Sequence, residues 1–127
     1  MNGVIYSRLI DQFCQRQLIL VVNKLSAVTL FVTDMKRSVK FYKIDLGMEL
    51  LYGGPDSGFT SFSLGASYIN LVLDRYHTFS PWGRIIFYVD DVDEFYRMVV
   101  SRGLSPLTKP QNADWQERYF HLVDPDG

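Results

Sequence analysis

A chain of 127 residues with 13 Lys and Arg against 14 Asp and Glu carries a net charge of −1, which excludes the electrostatic footprint of a nucleic-acid binder. Its 47% hydrophobic and 15% aromatic content supports one packed domain and excludes a disordered chain. The longest unbroken apolar run, Leu18–Val22, falls far short of the ~20 residues a membrane helix needs, so no membrane role and a cytoplasmic setting are expected.

Residues 1–22 stand apart as an N-terminal extension. Ile5, Tyr6, Leu9, Ile10 and Phe13 have helical spacing, so a short helix or an arm is expected there. Cys14 is the sole cysteine and has no partner for an internal disulfide. From Leu25 the pattern becomes regular. An apolar stretch, Val28–Val32, runs into Asp34, an N-cap type residue. The helix after it carries Met35, Val39, Tyr42 and Leu46 on one face and stops at Gly47. Strands are predicted at Glu49–Tyr52, Thr60–Leu64 and Tyr68–Leu73, with Gly53-Gly54-Pro55-Asp56 and Gly65-Ala66 as turns.

The order then repeats. Leu30 corresponds to Phe87, Val32 to Val89 and Asp34 to Asp91, all at one offset (91 − 34 = 57). A strand is predicted at Arg84–Val89, a cap at Asp90 or Asp91, and a helix through Val92, Phe95, Tyr96 and Val99 that ends at Gly103. Further strands are expected near Leu107 and over Glu117–Val123, before a tight turn at Asp124-Pro-Asp-Gly127. Two copies are too few for a repeat array. The fold expected is α+β: paired βαβββ modules, 25–75 and 83–127, in one domain of residues 23–127. Their curled sheets enclose a cavity, and the second module lacks its last strand.

Alternation assigns faces within the strands. Val28/Leu30/Val32, Ile69/Leu71/Leu73 and Ile85/Phe87/Val89 form the apolar parity and should pack beneath the helices. The other parity is mixed: Ala27/Thr29/Phe31, Tyr68/Asn70/Val72 and Arg84/Ile86/Tyr88. A concave surface with aromatic rings and a few polar groups is what small-molecule pockets present. A face covered by a partner subunit has the same composition, so both remain open here.

Three segments carry a resemblance. They are Val28-Thr-Leu-Phe-Val-Thr-Asp-Met-Lys-Arg-Ser-Val-Lys-Phe-Tyr42 with Leu46-Gly47, Phe87-Tyr-Val-Asp-Asp-Val92, and Phe120-His-Leu-Val-Asp-Pro-Asp-Gly127. Together they resemble the vicinal oxygen chelate superfamily: glyoxalase I, bleomycin-resistance proteins, fosfomycin-resistance enzymes and extradiol dioxygenases. The resemblance implies paired βαβββ modules around a cavity, usually in a dimer, with His, Gln or Glu ligands to one divalent cation in the metal-using members. Carried onto this chain, those positions fall on Ala27, Asn70 and Arg84, and the fourth falls past Gly127. Alanine has no donor atom, and a guanidinium stays protonated and cannot bind a cation. An asparagine carbonyl alone is a weak hard-metal ligand. No metal or other cofactor is therefore expected.

The candidate ligand-binding residues are Thr29, Phe31, Tyr68, Asn70, Arg84, Ile86, Tyr88 and Trp115. Arg84 would clamp a carboxylate or phosphate, or else pair with a carboxylate such as Glu117. Trp115 and Trp82 are candidates for the cavity rim. His77 falls in a loop beside Asp74, and His121 in a strand where a general base would have to face the cavity. The function expected is binding of a small, partly aromatic or anionic molecule by a homodimer. A metal-dependent lyase, isomerase or dioxygenase of the same superfamily and a non-catalytic interaction module are the alternatives.

Overall fold

The computed structural model describes residue 22, residues 24–80 and residues 83–127. The expected N-terminal helix or arm, Cys14 and Trp82 lie outside the described residues. Strand β1 (Ala27–Val32) leads into helix α1 (Met35–Val39), which continues as a π-helical stretch over Lys40–Asp45. Strands β2 (Glu49–Tyr52), β3 (Phe59–Leu64) and β4 (Ser67–Leu73) complete a sheet of order β1-β4-β3-β2. β1 and β4 are parallel and the other pairs antiparallel, because the helical crossover after β1 returns the chain in the same direction. The first module is therefore the βαβββ unit that the pattern implies.

Both helices begin as their sequence dictates. The carboxylate of Asp34 accepts the Arg37 N–H at 3.1 Å, and that of Asp91 accepts the Glu94 N–H at 3.0 Å, each from a β-region backbone. The second cap is Asp91, and helix α2 spans Val92–Ser101. Gly47 and Gly103, both at positive φ (78° and 92°), terminate the two helices. The glycines lie 56 apart (103 − 47) where the caps lie 57 apart, so the first helix holds one extra residue. The π-helical stretch absorbs it: the Leu46 N–H reaches back five residues to the Phe41 carbonyl at 2.9 Å.

The apolar parity of β1 and β4 builds the core. Val32, Phe62, Ile69 and Leu71 are buried against Met35, Val39, Phe41 and Tyr42 of the first helix. Each such burial is worth ~1.5–3 kcal/mol relative to exposure. Ile85, Leu104 and Leu122 of the second half pack on this cluster. Phe87 does not complete the expected set, because it is an exposed residue.

The second half departs further from expectation. Arg84–Val89 joins no ladder, the region near Leu107 is not a strand, and Glu117–Val123 reduces to β6 (Arg118–Tyr119) paired with β5 (Gln111–Asn112). Leu107 instead makes a single backbone bond to the His121 carbonyl at 2.8 Å. The physical reason is that alternation sets only which face a side chain would take. A ladder needs a neighbouring strand, and the described residues place none beside Arg84–Val89.

The C-terminal turn closes on the first helix. Asp126 Oδ1 accepts from the Thr33 N–H at 3.2 Å and the Thr33 hydroxyl at 2.5 Å, while Oδ2 accepts from the Ser38 hydroxyl at 3.4 Å. The Tyr42 hydroxyl donates to Asp124 at 2.7 Å. At the other end of that helix, the Arg102 guanidinium donates to the carbonyls of Ile44 (3.1 Å) and Asp45 (3.0 Å). The second half thus grips both ends of the first helix, and among the described residues no element packs across the opposite face of the sheet.

Candidate functional site

Ladder register arranges the open face in rows. Ala27, Tyr68, Ser63 and Glu49 form one; Thr29, Asn70, Ser61 and Tyr52 the next; Phe31, Val72 and Phe59 the third. Tyr52 reaches this face because the register shifts between Leu50 and Tyr52, the local effect of a β-bulge. Thr29, Phe31, Tyr68 and Asn70, singled out from alternation, therefore do share a surface. Phe31 and Tyr68 are 51% and 43% exposed, so nothing among the described residues covers them.

Two aromatic contacts extend the third row. The His77 ring lies 5.5 Å from Phe31 and the Tyr52 ring 6.1 Å from Phe59. In the middle row the Ser61 hydroxyl donates to Asn70 Oδ1 at 2.8 Å. Sequence reasoning missed Ser61, Phe59, Tyr52 and Glu49, and named His77 only as a loop residue beside Asp74. The alternation Phe59/Ser61/Ser63 in β3 could have found the first two. The bulge concealed Tyr52, and only the chain's path brings His77 back to Phe31.

The remaining candidates are not brought onto this face by any ladder. Arg84 is exposed, and Ile86 and Tyr88 are 86% and 91% exposed. Glu117, the alternative partner for Arg84, accepts the indole N–H of Trp115 at 2.9 Å. Trp115 sits in the turn between β5 and β6, its ring stacked on Tyr119 with 6.3 Å between centroids and 14° between planes. His121 meets the edge of Tyr119 at 5.4 Å. In the loop after β4 the Asp74 carboxylate accepts the Tyr76 N–H at 3.1 Å and the Asp74 carbonyl accepts the His77 N–H at 3.1 Å.

The donor set does not suit the divalent cation that the resemblance implies. Ala27 contributes no donor, Arg84 contributes a positive charge, and the Asn70 carbonyl alone is a weak ligand for a hard cation. No group of three His, Cys, Asp or Glu that could hold a metal occurs among the described residues.

Comparison with known proteins gives a consistent outcome. The family model of the Glyoxalase/Bleomycin resistance protein/Dioxygenase superfamily matches residues 24–127. The uncharacterized protein YraH of Bacillus subtilis (strain 168) is 30% identical over 118 residues, covering 81% of this chain and 91% of YraH. A superfamily member from Sphaerobacter thermophilus superposes with a TM-score of 0.68 at 23% identity, covering 84% of this chain and 92% of that one. Lactoylglutathione lyase from Agrobacterium tumefaciens superposes with a TM-score of 0.66 at 17% identity, covering 84% and 90%. At those identities the two structures establish the fold alone.

Proposed function

Because the chain belongs to the glyoxalase/bleomycin resistance protein/dioxygenase superfamily, we propose that it binds a small molecule on the open face of its curled sheet without the usual metal. Members of this superfamily bind small molecules and often dimerise. The observation that carries the proposal is the open face itself, where Thr29 and Asn70 sit between aromatic side chains and the Asn70 carbonyl is taken by Ser61. Such a mixture recognises a ligand by shape and hydrogen bonds.

In this reading Arg84, Ile86, Tyr88 and Trp115 supply the opposite wall when two copies associate. Their exposure supports that assignment, since large apolar side chains left in water mark association surfaces. The functional unit is residues 23–127, as modules 25–75 and 83–127, with residues 1–22 as an extension, working in the cytoplasm. No helix among the described residues is long and apolar enough to cross a membrane.

Titration calorimetry with a panel of small aromatic molecules of either charge, and with bleomycin, tests the binding. Binding of at least one member is expected, and heat from none of them would withdraw the proposal. Elemental analysis of protein purified without chelator is expected to show no stoichiometric divalent metal; a stoichiometric one would overturn the metal-free part.

A further inference from the structure

The third row of the open face sets Val72 between two aromatic residues. Val72 lies on β4, with Phe31 on β1 and Phe59 on β3 on either side. Two strand spacings separate the two aromatic residues, roughly 10 Å between backbones. His77 lies beside Phe31 and Tyr52 beside Phe59. Two aromatic side chains at that spacing accept a flat ring between them and leave little for a thick aliphatic group.

The middle row lies two residues along the strands, about 7 Å away, which is the length of two fused rings. Asn70 Oδ1 accepts from Ser61 at 2.8 Å, which fixes the orientation of the amide, and its N–H groups make no hydrogen bond among the described residues, so both donors are available to a ligand. The Thr29 hydroxyl beside it makes no hydrogen bond among the described residues. The strand rows contain no Lys or Arg, and their one ionised residue is Glu49, at the β2 edge. An anion laid on these strands would lose hydration with no cation on the strand rows to replace it and a carboxylate nearby, and Arg84 would reach it only from the opposite wall.

We propose that the face takes an uncharged, planar molecule of about two fused rings, its rings between Phe31 and Phe59 and a carbonyl oxygen received by Asn70 and Thr29. This rests on the binding reading above and fixes the charge and shape that it leaves open.

Three probes of one shape test it: naphthalene-2-carboxamide, naphthalene-2-carboxylate and (naphthalen-2-yl)methylammonium, each titrated into the full chain and followed by NMR of backbone and side-chain amides. The carboxamide is expected to bind roughly tenfold or more tightly than the carboxylate and to move the Asn70 side-chain N–H resonances. Asn70→Leu should weaken the carboxamide roughly tenfold and leave the preference for it over the carboxylate in place, with the backbone spectrum of β1–β4 otherwise unchanged. Phe31→Ala should weaken all three probes alike. Tighter binding of the carboxylate would overturn the inference in favour of an Arg84 clamp, and tighter binding of the ammonium would overturn it in favour of Glu49. Silence from all three, while bleomycin or another panel member binds, would overturn it and leave the broader binding proposal standing.

Discussion

Asp126 directs both carboxylate oxygens at Thr33 and Ser38, and Asp124 takes the hydroxyl of Tyr42, a ring buried in the core. The first helix and the Asp124–Gly127 turn are thus bonded to one another. Burial first, and the Asp124 carboxylate second, hold the Tyr42 phenol well above its ordinary pKa of 10.0. The neutral phenol is the form the fold favours, so its contribution is fully present below pH 10.0 and is lost as pH rises beyond it, where the unfolded chain gives up the proton first. Tyr42→Phe is expected to cost about 1–2 kcal/mol near pH 7, since Asp124 loses its donor. The same variant should lose stability less steeply than the parent above pH 10. Urea unfolding from pH 8 to 11 checks both; parallel pH profiles would show that this phenol is not coupled to folding.

Among the elements, the first helix carries the most information. One residue longer than its counterpart between cap and glycine, it takes up the excess as a π-helical stretch. The buried Asp45 lies in that stretch, with Lys40 Nζ 3.0 Å from its carboxylate. Its end also presents the Ile44 and Asp45 carbonyls that Arg102 caps from the second module. Every helix ends with carbonyls lacking partners; here another module's guanidinium supplies them. Arg102→Met should cost roughly 1 kcal/mol, the lower end for a charged donor because Arg102 is exposed. Deleting Lys43 removes the extra residue and displaces those acceptors, so adding Arg102→Met to the deletion should lower the urea midpoint no further. Additive losses would separate the longer helix from the Arg102 contact.

For the molecule as a whole, the two modules share a helix pattern but not a sheet. The first builds four strands, whereas the second shows only the β5–β6 ribbon among the described residues. Ile86 and Tyr88 stay exposed beside a core that already holds Ile85. Association of two copies through this segment would bury both side chains. Sedimentation of the parent as a dimer at micromolar concentration, and of the Ile86→Glu/Tyr88→Glu variant as a monomer with unchanged helical circular dichroism, is the expected outcome. A parent that sediments as a monomer throughout would remove the dimer from the proposed function.

Local regularities were legible without coordinates. Asp34 and Asp91 announce helix starts, Gly47 and Gly103 announce stops, and period-two alternation places Thr29, Phe31, Tyr68 and Asn70 on one face, because caps and strand parity depend on neighbours within a few residues. The positions at which the resemblance implies metal ligands hold Ala27, Asn70 and Arg84, and donor chemistry needs no fold to judge those residue types. Tertiary structure decided what depends on distant partners. It bonds Asp126 to Thr33 across 93 positions, turns Tyr52 onto the open face through a bulge, and sets His77 against Phe31. Among the described residues it also places no strand beside Arg84–Val89. An amino-acid pattern states which side of a strand is apolar, but the strand beside it is chosen by the rest of the chain.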